Sequence, residues 1–236
     1  MVDITIKATF YWHIYFERID MVENSYVVKF EELLGEIERE GIENLLGFIR
    51  KSDFYTAPAS TRFHLAEEGG LLKHSLHVYE CLNAKLSAPI WKDVLKNVTR
   101  ETILIVSLLH DLCKTYYYVG DYKNQKTYDV DKVNAASPRE VKHDAKGNYI
   151  WETVPCYTVD NKYPLGHGSK SVVFILQYMK LSMEEITAIT YHMGAYCDSS
   201  QWNELGQAYE KYPLALALHQ ADMEATHILE VENGKS

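Results

Sequence analysis

Cysteine is scarce in this 236-residue chain: Cys81, Cys113, Cys156 and Cys197 lie far apart and form no CxxC pair. A chain of this length needs no covalent staples, so the four read as reduced thiols in a cytoplasmic protein. Long apolar runs are also missing. The stretch from Ala8 to Phe16 is interrupted by His13, lacks a signal-cleavage pattern and falls well short of the roughly 20 residues of a spanning helix. No membrane partner is expected. Positive charge is in deficit, with 24 Lys and Arg against 33 Asp and Glu and a net charge of −9, which argues against an extended nucleic-acid surface. With 6 prolines, 12 glycines and no internal repeat, fibrous and solenoid architectures are set aside as well. What remains, 47% hydrophobic and 24% charged, fits one well-filled globular core.

Helical spacing dominates. Phe30, Leu33, Leu34, Ile37, Ile42, Leu45, Leu46 and Ile49 predict two short helices before Lys51. Leu71, Leu72, Ser75, Val78 and Leu82 predict a helix with His74 near its start. A buried helix is expected from about Arg100 to Lys114, where Ile103 to Leu109 is almost continuously apolar before His110 and Asp111. Helical pattern returns at Ser169 to Met179. Ser182-Met-Glu-Glu185 is a capping box opening another helix toward His192-Met-Gly194, and Pro213 starts a last helix carrying Asp222. Between Thr115 and Leu165, tyrosines and β-branched residues alternate with polar ones around the turn Asp144-Ala-Lys-Gly147-Asn148, which predicts a β-hairpin insertion. Residues 1–29 read as an N-terminal extension, a strand or a docking segment. Residues 30–236 read as a single catalytic domain.

An aspartate directly after a histidine at the end of a buried helix needs a positive partner, because burying an ionised carboxylate is costly. A divalent metal would serve. His74 on an earlier helix and Asp222 on the last one place a mixed imidazole–carboxylate set within reach of His110-Asp111 in an antiparallel bundle. Such a set suits Mn, Fe, Co, Ni or Zn. Lys114 follows Asp111 by three residues, where an ammonium would hold a phosphate oxygen.

The segments Gly69-Gly-Leu-Leu-Lys-His74-Ser, Leu108-Leu-His110-Asp111-Leu-Cys-Lys114, Leu165-Gly-His167, Tyr191-His192 and Ala221-Asp222 resemble, in order and spacing, the motifs of HD-domain metal-dependent phosphohydrolases over about 150 residues. The resemblance implies a mainly α fold, an HD-domain helical bundle with a β-hairpin insertion around residues 115–165. It implies His74, His110, Asp111 and Asp222 as primary ligands, with His167 and His192 added in binuclear branches and Asp111 bridging one or two divalent transition metal ions. Two departures stand out: Tyr191 occupies a position where many binuclear members carry a second histidine, and Cys113 one where many carry glycine.

The run from Phe63 through His64 to His74 is most similar to the 3'-to-5' exoribonuclease branch. On that basis His64 is a candidate substrate contact. Arg62 is another, because a guanidinium grips phosphate in two places. The seven tyrosines at 116, 117, 118, 122, 128, 149 and 157 could stack on a base, but cross-strand packing is the plainer role. The insertion carries seven basic and seven acidic residues, so it offers no positive funnel. The expected activity is hydrolysis of a phosphate ester in a phosphorylated small molecule or short oligonucleotide, with Asp111 and Lys114 carrying the chemistry. The alternatives are a 3'-to-5' exoribonuclease on short RNA, a catalytically silent nucleotide-binding regulator and, more remotely, an iron oxygenase.

Overall fold

The computed structural model describes residues 25–231. The apolar run at Ala8 to Phe16, and the strand considered for it, lie outside these residues. Helix α1 covers 25–34, so the boundary drawn at residue 29 falls inside a helix. The remaining helices are α2 (Ile42–Lys51), α3 (Gly70–Lys85), α4 (Arg100–Leu109), α5 (Val130–Ala135), α6 (His167–Leu176), α7 (Met183–Thr190), α8 (Trp202–Lys211) and α9 (Pro213–Glu224). Strands β1 (Tyr118–Thr127), β2 (Lys142–Asp144) and β3 (Gly147–Val159) form one small sheet. About half of the described chain is helical.

One aliphatic core joins α1 to α4 with α6, α7 and α9. Helix α3 packs between α4 and α9, and α7 packs on both α6 and α9. The expected buried helix is present, but its α-helical part ends at Leu109 and is followed by a 3-10 turn at Leu112–Lys114. Thr99 caps its start by accepting from the amide of Thr102. The capping box at Ser182 and Glu185 is formed in both directions. The Glu185 carboxylate is then gripped by Arg39, at 2.7 and 3.1 Å, and accepts from the hydroxyl of Thr102 at 2.9 Å. Arg39 also reaches Glu101 at 2.7 Å, so one guanidinium pins the segment after α1 to α4 and α7.

Close backbone approach has its own sequence requirement. A Cβ at Gly168 would sit 2.2 Å from the carbonyl oxygen of Ile189, so glycine there is what lets α6 lie against the end of α7. That approach brings the rings of His167 and His192 to 5.4 Å.

The insertion is hairpin-bearing and antiparallel, in strand order β1-β3-β2. Strand β1 pairs with β3 in register from Tyr118↔Val159 to Thr127↔Ile150, while β2 closes on β3 through the turn ending at Gly147, whose φ of 123° favours glycine. Helix α5, capped by Asp129, lies between β1 and β2 in sequence and was not marked by its pattern.

Candidate metal centre and cleft

His110 and His192 solve the same local problem. A helix leaves its last carbonyls without partners, and each of these histidines follows the end of its own helix closely enough to cap one. His110 Nδ1 lies 2.8 Å from the Ser107 carbonyl, and His192 Nδ1 lies 2.7 Å from that of Ile189. A carbonyl only accepts, so Nδ1 donates and carries the proton. In the neutral ring this leaves Nε2 with the lone pair. Both Nε2 atoms are buried and have no hydrogen-bond partner.

They face Asp111. His110 Nε2 is 3.5 Å from its Oδ2, and His192 Nε2 is 3.6 Å from its Oδ1. His167 Nε2 lies 2.5 Å from Oδ1, and His74 Nε2 lies 3.7 Å from Oδ2 and 3.2 Å from Asp222 Oδ1. The bundle therefore brings all six sequence-predicted ligands, His74, His110, Asp111, His167, His192 and Asp222, to one place. Within it, His74, His110 and Asp111 form one close set of donor atoms, and His110, His192 and Asp222 another.

Lys114 also arrives at Asp111, its Nζ 2.6 Å from Oδ2. The apolar pattern predicts a continuing α-helix there. A 3-10 turn stacks residues three apart instead, setting Lys114 over Asp111. Burial acts to strip the proton from Lys114, and the Asp111 charge more than offsets it. Burial likewise acts to raise Asp111, but the adjacent ammonium and imidazoles hold it well below the usual carboxylate range. Burial pushes His110 down to about 3, so it is a neutral imidazole. His74 moves the other way, to about 9, because Asp222 and Glu230 outweigh its desolvation. The centre thus favours positive charge at His74 and, where Asp111 outweighs burial, at His192, and presents a free nitrogen lone pair at the neutral His110. These are the properties of a divalent transition-metal site, and the residues fit such an ion.

Glu230 was not found from the sequence. It follows a π-helical turn at Ala225–Leu229, is 9% exposed, and receives the Nδ1 atoms of His74 at 3.0 Å and His77 at 2.9 Å. The carboxylate orients His74 in the way an outer-shell partner orients a metal-ligating imidazole. Its only sequence signal was a spacing of eight residues from Asp222. His77 completes this contact one turn beyond His74. His219 donates from Nδ1 to the His192 carbonyl at 2.7 Å and so supports that histidine from behind.

A cleft of about 1150 Å³ opens over the centre. The bundle contributes His74, Asp111, Lys114, His167 and Asp222 to it, and the insertion contributes Tyr117, Tyr118, Lys123 and Pro155. Of the seven tyrosines considered, Tyr117 and Tyr118 reach this cleft. Tyr149 is buried and packs on Tyr128 and Trp151. His64 lines the cleft with its ring 5.0 Å from that of His74, and its Nε2 is buried without a partner. Desolvation lowers it to about 4, leaving a neutral ring. The loop carrying it is pinned where a Cβ on Gly70 would meet the Leu65 carbonyl at 2.2 Å. Arg62 sits exposed at the rim, its guanidinium 5.0 Å from the Phe63 ring. Cys113 is buried with Sγ 3.3 Å from His167 Nδ1, and burial pushes its thiol up to about 12.

No family model matches the chain, and no solved structure does. Among curated proteins, a dihydroneopterin 2',3'-cyclic phosphate phosphodiesterase from Methanocaldococcus jannaschii is 31% identical over 93 residues, covering 37% of this chain. The match spans 36% of that relative's length. Among the described residues no helix is long and apolar enough to cross a membrane.

Proposed function

We propose that this chain is an HD-type metal-dependent phosphohydrolase that opens a phosphodiester in a small ring-bearing, nucleotide-like compound. The observation that carries the reading is the pair of buried, unpartnered Nε2 atoms of His110 and His192 facing Asp111. The relative's activity on a cyclic phosphate supports the choice of a phosphodiester.

His74, His110, Asp111 and Asp222 would hold a first divalent ion. His167 and His192 would help hold a second, with Asp111 between the two because its oxygens face different histidines. When bound, such ions supply acidified water and neutralise charge on the phosphate. Lys114, already protonated beside Asp111, gives a phosphate oxygen in the cleft a charged donor. His64, neutral and with its Nε2 unpartnered, would give a hydrogen bond within the same cleft, and Arg62 at the rim would meet a more distant anion. Tyr117 and Tyr118 supply ring surface on the sheet side. The cleft is larger than a phosphate group requires, leaving room for the ring-bearing part of the substrate.

The test is a screen of 2',3'-cyclic and linear phosphodiesters, mononucleotides and a labelled short RNA with added Mn, Co or Ni. The expected result is hydrolysis of a small phosphodiester that disappears in His110→Ala. Stepwise shortening of the RNA alone would favour an exoribonuclease. Tight nucleotide binding without product would favour a regulator.

A further inference from the structure

Tyr117 also lines a second cavity of about 510 Å³, separate from the cleft over the histidines. Lys170 reaches it from α6 although the residue is only 3% exposed. Its ammonium donates to Asn161 Oδ1 at 2.6 Å and lies 4.8 Å from the centre of the Tyr117 ring. Both partners are neutral. Among the described residues no carboxylate pairs with Lys170, and Asp160, which borders the cavity, lies 3.6 Å from Lys162 instead. A buried ammonium without a counter-charge is costly, and a cation–π contact offsets only part of that cost.

Aromatic rings line much of the cavity, beside Thr115, Leu165, Val173 and Gln177. Tyr163 is 56% exposed and meets Phe174 edge-on at 5.6 Å, while Phe48 and Tyr178 stack at 5.4 Å. Asn161 turns its oxygen to Lys170, which leaves its amide hydrogens free to donate. The volume lies within the roughly 300–1,000 Å³ of small-molecule sites.

We infer that this cavity is a binding site for a small anion carrying a planar ring, of about mononucleotide size. The anionic group sits on Lys170 with the Asn161 amide beside it, and the ring lies against Tyr163 and Phe174. The inference does not rest on the phosphohydrolase reading, since none of these four residues belongs to the histidine–aspartate centre. The site is nevertheless close to it: Cys113 lines the cavity and touches His167.

Isothermal titration of the protein as purified with adenosine monophosphate tests it, using wild type, Lys170→Met, Lys114→Met and Tyr163→Ala. The expected result is a binding event that Lys170→Met weakens at least about tenfold, as loss of a charge-assisted contact does, and that persists in Lys114→Met. Tyr163→Ala, at an exposed position, weakens it several-fold with no change in melting temperature. No binding up to ~1 mM in wild type overturns the inference, as does equal affinity in Lys170→Met or loss of the event in Lys114→Met alone. If Lys170→Met does not fold, Tyr163→Ala decides, and unchanged affinity there overturns the inference.

Discussion

Along α4 every residue from Thr102 to Leu109 is buried, whereas eight of the ten positions of β1 are exposed. Both elements lead to the same cleft, α4 through Asp111 just past its end and β1 through Tyr118 and Lys123. Among the described residues the aliphatic core includes none from the insertion. The bundle fixes the six candidate ligands, Asp111 among them, by burying the helices that carry them, and the two histidines that follow α4 and α7 are fixed again by their own carbonyl caps. The sheet is held mainly by its own ladder. It forms a wall that side-chain changes can reshape at little cost to the bundle; on the proposed function, the bundle would do the chemistry and the sheet would meet the variable end of a substrate.

The largest expected effect breaks the bundle side of this comparison. Asp111→Asn keeps the shape but removes the charge that faces four imidazoles, and kcat/KM on the phosphodiester found in the screen should fall about 10³-fold or more. Arg39→Ala comes next and touches stability alone. It strands the Glu185 carboxylate, whose side chain is fully buried, and urea denaturation at neutral pH should show a loss of about 3 kcal/mol. Burial raises Glu185, but Arg39 and its hydrogen bonds hold its pKa below the ordinary value of 4.5. The pair's contribution is therefore complete above that value and lost as pH falls through the depressed one, so the gap between variant and wild type should close on acidification. A smaller change is expected from Glu230→Gln, which keeps the volume but weakens the hold on His74. Competition titration with a chelator should show metal affinity about 10- to 100-fold lower with the fold intact. The smallest effect sharpens the sheet side: Tyr122→Ala, at a 72% exposed position of β1, should shift unfolding free energy by no more than about 0.5 kcal/mol. A cost of several kcal/mol there would mean the sheet is part of the core after all.

The bundle was the more legible region, and for a physical reason. Helices that bury one stripe repeat their apolar residues at fixed spacing, so α2, α3, α7 and α9 could be placed from pattern, capping box and Pro213 alone. A lone histidine beside such a stripe is more often packed than ligating, and these stood out only as an ordered set whose motifs resemble the HD-domain pattern. The end of α4 was misplaced because apolar pattern continues through Leu112 while the backbone already departs from the helix at Asp111. Glu230 was not legible because its approach to His74 depends on a π-helical turn that has no repeat to detect. Helix α8, amphipathic with Leu205 and Ala208 its buried residues, carried too little apolar signal to be singled out. The turn at Gly147 was readable, but which of the insertion's tyrosines reach the cleft depends on strand register, which the alternation of residue types does not specify.

Metal binding by the purified chain tests the central claim most directly. Protein stripped with a chelator and titrated with Mn, Co or Ni should bind at least one equivalent of divalent ion, and His110→Ala and Asp111→Asn should lose that binding while remaining folded by circular dichroism. Wild-type protein that takes up no ion, or variants that bind it as tightly as wild type, would contradict the assignment of these residues to a metal centre.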